Sequence, residues 1–269
     1  MAKNDIKEIT ERLEQGVKDV FTSDKYVEYL RFMSKFTNYS VNNIILIMLQ
    51  KPEASLVAGY KAWQTKFKRQ VRKGEHGITI LAPCPHTKEI EDEDGNVKKV
   101  SWTSFRACKV FDVSQTDGEE LPTGCVEMLD GTVQNYDELK RKLEAVAPVD
   151  VEYQYIDGGA NGFYSRKEKR IAVQLGMSEA QTIKTLVHEI AHAILHNEDG
   201  EEKDADRYTR EVQAESVAYT VCSMLGLDTS DYSFGYVAGW STNKDVKELT
   251  ASMEVIRKTA KLITDGLAA

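Results

Sequence analysis

The chain has 269 residues, of which 41% are hydrophobic and 29% charged, and its formal net charge is −8. These values are ordinary for a soluble globular protein of one large domain or two small ones. No apolar run approaches the roughly 20 residues that a membrane span needs, and the charged N-terminus lacks the core of a signal peptide. We therefore expect a cytoplasmic protein with no membrane partner, and the acidic balance argues against nucleic-acid binding over the whole surface.

The first half of the chain predicts helices followed by short strands. Apolar residues at helical spacing indicate two helices within residues 5–36, and a third helix runs from 40 to 50, before Pro52. Extended segments at 56–58, 78–81 and 100–110 enclose helical turns at 60–67 and a strand at Val71. The charged stretch 88–99 contains Asp94-Gly95-Asn96, which is typical of a hairpin tip.

The second half follows a stretch without periodicity. Residues 114–130 contain Gly, Pro and Thr and predict a linker, so we expect two domains, at 1–120 and 121–269, in an α+β fold. A helix at 136–147 and strands at 151–155, 162–165 and 170–174 lead to a helix whose start at Ser178 and Gln181 fits a capping box. Further helices are predicted at 204–225 and 244–262.

A metal-binding motif lies on the helix that begins near Ser178. His188 and His192 are four residues apart, so both imidazoles share one helix face, where a single tetrahedral ion can reach them. Glu189 follows the first histidine and can act there as a general base toward water. The motif predicts one Zn²⁺, or another divalent metal, held by His188 and His192 with Glu189 as the catalytic residue.

The third ligand is predicted on the following helix. Glu211 and Glu215 lie one turn apart, and the flanking Ala214 and Ala218 indicate that this face packs inward. A buried carboxylate is costly unless it is paired or binds a metal. Because the pattern E-x-x-A-[DE] of Glu-type zincins places the ligand first, we assign Glu211 to the metal and Glu215 to the support of a histidine. The reverse assignment is the alternative.

Two further side chains near the motif are given structural roles. His196 lies four residues after His192, on the same face, and we expect it to interact with the carbonyl groups at the end of the helix. Tyr219 lies four residues after Glu215 and could stabilise a developing oxyanion, but core packing is the favoured interpretation.

A basic and aromatic segment lies in the first domain. Residues 51–83 hold seven lysines and arginines against two acidic residues, and Tyr60, Trp63 and Phe67 are interleaved with them. Basic groups with aromatic rings between them are typical of single-stranded nucleic-acid binding, although a solvated basic face around a core tryptophan is equally consistent with the residues. The candidate contacts are Trp63, Lys66, Lys68, Arg69, Arg72 and Lys73.

Several of these segments resemble a known family. Asn42-Asn43, Gly59-Tyr-Lys-Ala-Trp63, residues 71–83 and residues 110–116 resemble the N-terminal domain of ArdC-type antirestriction proteins. The run from His188 to His192, residues 211–218 and Tyr236-Val-Ala-Gly-Trp240 are similar to the zincin-like metallopeptidase domain that accompanies it.

The resemblance implies a biological role. It implies an N-terminal α+β domain that binds single-stranded DNA without sequence preference, a C-terminal zincin-like metallopeptidase domain, and protection of plasmid or other mobile-element DNA from host restriction during conjugation. By position it implies His188, His192 and Glu211 as ligands and Glu189 as the base. The acidic residues 89–94 depart from a DNA-binding surface, so we expect that hairpin to point away from DNA.

Three hypotheses follow for the function. The first is a DNA-binding antirestriction protein whose metal domain is required for protection. The second is a zinc metalloprotease that cleaves a host protein, with the N-terminal domain serving only to localise it. The third is a domain in which the metal only stabilises the fold, and the intact Glu189 argues against it because a structural site needs no base.

Overall fold

A computed structural model describes residues 3–91, 97–121, 135–227, 229, 232 and 234–268. The fold is α+β with two domains, as predicted. Among the described residues, no helix is both long and apolar enough to cross a membrane. The helices are α1 (Lys3–Val20), α2 (Ser23–Lys35), α3 (Val41–Gln50), α4 (Tyr60–Thr65), α5 (Tyr136–Val146), α6 (Glu179–Leu195), α7 (Arg207–Met224), α8 (Val237–Ser241) and α9 (Val246–Ala268). The strands are β1 (Val57–Gly59), β2 (Arg69–Val71), β3 (Ile78–Glu91), β4 (Val97–Asp112), β5 (Thr116–Gly118), β6 (Asp150–Gln154), β7 (Gly162–Ser165) and β8 (Arg170–Gln174).

The chain forms two compact units. The first comprises Met1–Gly16 and Asn42–Glu120, and the second comprises Val17–Val41 and Leu121–Ala269. The second unit is therefore assembled from two separate stretches of sequence. The division at residue 120 that the sequence suggested remains a prediction, and the structure adds that residues 17–41 pack with the second unit.

The first unit is built around a long antiparallel hairpin. All 14 residues of β3 pair with β4 without a bulge, from Ile78 opposite Val110 to Glu91 opposite Val97. β1 pairs with the end of β4, which gives the strand order β1-β4-β3. The base of the hairpin lies in the core, since Ile78, Ile80 and Val110 are buried. The sequence predicted only the first four residues of β3, because the strand continues through polar positions that lack an alternating apolar pattern.

The beginning of the predicted linker is folded. Residues Val113–Gln115 form a 3₁₀ turn, and Thr116–Gly118 is β5, which pairs with β2. The carboxylate of Asp112 accepts hydrogen bonds from the backbone N–H groups of Ser114 and Ser55, both at 2.8 Å. The linker prediction was wrong over residues 114–118 because this cap went unrecognised. Residues 122–130 of the predicted linker, and the predicted tip at 94–96, lie outside the described residues.

The second unit packs helices on a small mixed sheet. β8 lies in the centre, parallel to β6 and antiparallel to β7, and its residues Ile171, Ala172 and Val173 are buried. α6 packs on this sheet, and α7 packs on α6. β7 forms one edge of the sheet, next to α6, which places the edge strand beside the histidine motif.

Helix α2 belongs to the core of the second unit. Its Tyr26, Tyr29, Leu30 and Met33 are fully buried, and α2 packs on α7. The Tyr26 hydroxyl donates to the hydroxyl of Ser216 at 2.8 Å, and Ser216 in turn donates to the carbonyl of Val212 at 2.6 Å, so both hydroxyls have partners inside the core. The apolar stripe of α2 is visible in the sequence, but its partner is 190 residues away and is not.

Candidate metal centre

Helix α6 begins where the sequence predicted. The side chain of Ser178 caps it by accepting a hydrogen bond from the backbone N–H of Gln181 at 3.3 Å. The predicted capping box is not completed, because the Gln181 amide donates to Thr185 Oγ1 instead. The apolar face of α6 lies in the core, and His188 and His192 lie at its boundary, each partly exposed.

Two histidines and one carboxylate converge between α6 and α7. The Nε2 atoms of His188 and His192 are 3.1 Å apart, and Oε2 of Glu211 lies 3.6 and 3.7 Å from them. A tetrahedral ion with bonds of about 2.0–2.1 Å requires ligand atoms about 3.3–3.4 Å apart. The three atoms therefore form a triangle of the size that one divalent ion needs, with one side open.

Glu215 contacts the opposite nitrogen of the same histidine. Its Oε2 lies 3.0 Å from Nδ1 of His188, so the carboxylate accepts that proton and turns Nε2 toward Glu211. Burial lowers the pKa of His188, but hydrogen bonds to Glu211 and Glu215 outweigh burial and raise the pKa to about 10. Hydrogen bonds with His188 and His192 hold the pKa of Glu211 well below its usual range. This geometry favours Glu211, rather than Glu215, as the carboxylate of the triangle.

His192 is held by a chain of buried polar groups. Its Nδ1 lies 2.9 Å from Nδ1 of His196, and Nε2 of His196 donates to Oε1 of Gln213 at 3.0 Å. The Gln213 amide in turn donates to the hydroxyl of Ser252. The sequence suggested that the ring of His196 bonds the carbonyl groups at the helix end. It bonds the buried amide of Gln213 inside the core instead. Burial lowers the pKa of His196 to about 4, so this ring is neutral.

Glu189 is buried beside the triangle. Only 6% of the residue is exposed, and burial raises the pKa of its carboxyl group against the lowering effect of His188 and His192. Strand β7 approaches this side chain at Gly162, where a Cβ atom would lie 3.1 Å from Cγ of Glu189 and 2.7 Å from Cγ2 of Thr185. The absence of a side chain at Gly162 thus allows β7 to pass close to the predicted base. The sequence pattern did not reveal that a glycine is needed at this position.

Two clefts open onto this group of side chains. Their volumes are about 350 and 630 Å³, and both are bordered by Gly162, His188 and Glu189. Lys184 lines the smaller cleft, whereas the larger one is lined by the arginines Arg166, Arg207 and Arg210. A reacting group can thus reach Glu189 from solvent through these clefts.

Tyr219 is fully buried against Tyr232 and Phe234, which agrees with the core packing that the sequence favoured for it.

The predicted DNA contact at Trp63 does not agree with its position. Trp63 is fully buried in the first unit, its Nε1 donates to the carbonyl of Phe111 at 2.9 Å, and its ring packs on Phe67. A base cannot stack on a ring without an exposed face. Trp63 is a core residue, which is the position that the alternative interpretation of the sequence gave it.

The neighbouring basic residues divide into two groups. The Arg69 guanidinium bonds Thr116 and the carbonyl groups of Gly118 and Glu119, and Arg72 bonds Glu75, Asp117 and Ser114. Both arginines thereby hold the segment around β5 and have little capacity left for phosphate groups. Lys66, Lys68 and Lys73 are exposed, and Lys68 lies 3.7 Å from the carboxylate of Glu119.

Comparisons with known proteins match both halves of the chain. A family model described as the N-terminal domain of the anti-restriction factor ArdC matches residues 1–111. A peptidase M78 model, described as the IrrE N-terminal-like domain, matches residues 147–259. An uncharacterized protein of Bacillus anthracis is 27% identical over 96% of this chain and 50% of its own length. The chain therefore spans half the length of that curated relative.

Two solved structures share the fold. The metal-free crystal structure of the antirestriction protein ArdC from plasmid R388 aligns with a TM-score of 0.55 at 22% identity, covering 86% of this chain and 85% of that one. The Mn(II)-bound structure of the same protein aligns with a TM-score of 0.51 at 23% identity, covering 86% and 87%.

The match to the peptidase M78 model identifies residues 147–259, which contain the histidine helix and the mixed sheet, as a metallopeptidase-like domain. This domain follows an ArdC N-terminal domain in the same chain. The chain is an ArdC-type two-domain protein.

Proposed function

We propose that this chain is an antirestriction-type protein of a mobile element that binds single-stranded DNA non-specifically and carries a zinc-dependent, metallopeptidase-like site. The observation that carries the enzymatic part is the triangle of His188, His192 and Glu211, with side lengths of 3.1–3.7 Å, next to the buried Glu189. The antirestriction part rests on the ArdC domain match and the structural likeness to the R388 protein.

The proposed cofactor is one divalent metal ion. Two imidazole nitrogens and one carboxylate oxygen are the donor set of catalytic zinc sites, which leave one coordination position open. The Mn(II)-bound structure of the R388 protein supports a divalent ion in this fold. We propose zinc because two imidazoles and one carboxylate are the donor atoms that it prefers. His188, His192 and Glu211 would hold the ion, while Glu215 and His196 orient the two rings.

The residues of the site have distinct proposed roles in hydrolysis. The bound ion would polarise a substrate carbonyl group and acidify water. Glu189 would take the proton from that water and pass it to the leaving amine, a task suited to a carboxyl group whose pKa is raised by burial. β7 presents a sheet edge at the clefts, where an extended peptide can pair with its backbone.

The proposed partners are single-stranded DNA and a host protein substrate. Among the alternatives, a zinc metalloprotease that uses its first unit only as a localiser is favoured by one observation, the burial of Glu189 beside the ligand triangle. A purely structural metal site needs no such base. The proposal and the metalloprotease alternative both place hydrolysis at Glu189, and they differ in whether DNA binding by the first unit takes part in protection.

The deciding experiment is the Glu189→Gln variant in a plasmid transfer assay. Transfer of unmodified DNA into a restricting host would be measured with the wild-type chain and with Glu189→Gln, after both proteins are shown to bind equal amounts of metal and of single-stranded DNA. We expect the variant to lose protection. Full protection by the variant would reject hydrolysis as part of the antirestriction function, and absence of protection by the wild type would reject that function altogether.

A further inference from the structure

The outer part of the β3–β4 hairpin carries an exposed aromatic and basic face. Because side chains alternate along a strand, His86 on β3 and Trp102, Ser104 and Arg106 on β4 share one face, which we call the Trp102 face. Trp102 is 48% exposed. The indole stacks on the ring of His86, with centroids 5.3 Å apart and an angle of 18°, and His86 is fixed in turn by a 2.7 Å contact with Ser104.

The charge of this face is one-sided. Lys88, Lys98 and Arg106 lie on it, and within the described positions 80–89 and 98–108 no acidic residue does. Glu89 lies on the opposite face, where its carboxylate is 3.5 Å from Lys99. From Lys98 to Arg106 the strand extends about 26 Å. The Trp102 face is thus a basic strip with a fixed ring in its middle.

The opposite face of the same hairpin has a different character. Phe105 is 56% exposed there, Thr87 contacts Ser101, and Lys99 is paired with Glu89. The two faces therefore share backbone and strand pairing but differ in charge and in the presence of a stacked ring. This difference supplies a matched control within one element.

We propose that the Trp102 face is the surface on which single-stranded DNA binds, with a base stacking on Trp102 and phosphate groups at Lys88 and Arg106. A base and an indole stack without sequence preference, and the lysine and arginine contact the phosphate backbone. The proposal rests on the proposed DNA binding. It replaces the buried Trp63 and the internally bonded Arg69 and Arg72 as contacts, and it places DNA on the hairpin that the acidic residues 89–94 led us to expect would point away from DNA.

The first test is the affinity of the full chain for a fluorescein-labelled oligothymidine, measured by anisotropy. We expect Trp102→Ala to weaken binding between about fivefold and about a hundredfold, the range of one lost base–aromatic stack. Trp102→Phe should recover most of the affinity, and Phe105→Ala should bind as the wild type does. Wild-type affinity of Trp102→Ala, or equal losses for Trp102→Ala and Phe105→Ala, would overturn the assignment of the face.

Two further readouts separate stacking from folding. Of the three tryptophans, Trp63 and Trp240 are 0% and 8% exposed, so oligothymidine should quench the emission of Trp102 selectively. Lys88→Ala and Arg106→Ala should each lower the slope of log affinity against log salt by about 0.7, whereas Lys99→Ala should leave it unchanged. An unquenched spectrum with bound DNA would also overturn the proposal. If the wild type binds no DNA, the proposed DNA-binding function fails instead of this surface alone.

Discussion

The Nδ1 atoms of His192 and His196 lie 2.9 Å apart, so one ring donates a proton and the other accepts it. Gln213 determines which ring is the donor. Its carbonyl oxygen accepts a hydrogen bond from the protonated Nε2 of His196, so Nδ1 of that neutral ring is the acceptor. His192 must then carry its proton on Nδ1, and its Nε2 lone pair faces Glu211. A neutral amide in the core thus selects the tautomer that a metal ligand needs.

Removal of His196 is expected to weaken the metal site without touching the triangle. His196→Leu deletes the acceptor for His192, and we expect the affinity for Zn²⁺ to fall between about tenfold and about a hundredfold. The affinity would be measured by competition with a chromophoric chelator. His76→Leu, a change at an exposed histidine of the first unit, is the control and should bind Zn²⁺ as the wild type does.

The two glutamates of α7 are expected to differ in their effect on metal binding. Glu211→Gln removes the charged oxygen that lies beside both Nε2 atoms and should lower the Zn²⁺ affinity more than a hundredfold. Glu215→Gln removes only the support of His188 and should lower it between about tenfold and about a hundredfold. Metal titration of both variants decides the order, and a larger loss for Glu215→Gln would establish the reverse assignment.

Gly162→Ala is expected to destabilise the second unit and displace the base. The new methyl group would meet Thr185 and Glu189 at 2.7 and 3.1 Å, and overpacking of this kind costs about 1–3 kcal/mol of unfolding free energy. Urea unfolding would measure the loss. Gly239→Ala is the matched control, since no atom other than those of its chain neighbours and of its own helix backbone lies within 4 Å of the added group, and its stability should equal or exceed that of the wild type.

Asp112→Asn is expected to destabilise the first unit in a manner that depends on pH. Burial raises the pKa of Asp112, but hydrogen bonds from Ser114, Ser55 and Leu56 outweigh burial and hold the pKa below its usual range. Such a carboxylate stabilises the fold above its unfolded pKa of about 3.9, and this contribution is lost as the pH falls through the folded pKa. The variant should be about 1–3 kcal/mol less stable at pH 7.

The pH series provides the check on Asp112. The difference in unfolding free energy between the wild type and Asp112→Asn should stay constant from pH 7 to pH 5 and shrink below about pH 4. A difference that persists unchanged at lower pH would mean that the substitution acts through packing rather than through the charge.

Tyr26→Phe tests whether α2 is part of the second unit. The change removes the hydrogen bond that Tyr26 donates to the Ser216 hydroxyl, while Ser216 still donates to the carbonyl of Val212, and it should cost about 0.5–1.5 kcal/mol of unfolding free energy. Unfolding would be monitored through the release of bound metal, because the proposed metal ligands lie in the second unit. Tyr155→Phe alters a tyrosine that is 81% exposed and should have no effect. Unchanged metal release for Tyr26→Phe would contradict the packing of α2 on α7.

Local patterns predicted most of the secondary structure, and helical spacing predicted that His188 and His192 share one face. Glu211 lies on a different helix, and its place beside the histidines was predicted from the pattern E-x-x-A-[DE] of Glu-type zincins. The sequence could not reveal contacts that depend on distant packing. Gln213 beside His196 and Ser216 beside Tyr26 are examples, since glutamine and serine carry no pattern that marks them as partners.

The predicted DNA contacts at Trp63 and Arg69 do not agree with the structure for a related reason. Trp63 and Arg69 have the composition of a nucleic-acid surface, yet burial and internal hydrogen bonds occupy both. Trp102 lies in a stretch that the sequence treated only as the partner strand of an acidic hairpin. The register of β3 and β4 is needed to tell which side chains share a face with Trp102, and the sequence alone does not give that register.

The discontinuous second unit has a consequence for limited proteolysis. The chain passes from one unit to the other three times, after Gly16, after Val41 and after Glu120. A single cut between residues 121 and 135 would therefore break the backbone without freeing two independent pieces, since the N-terminal fragment would still hold α2 against α7 of the other fragment. The nicked protein should elute as one species from a sizing column and separate only in denaturant.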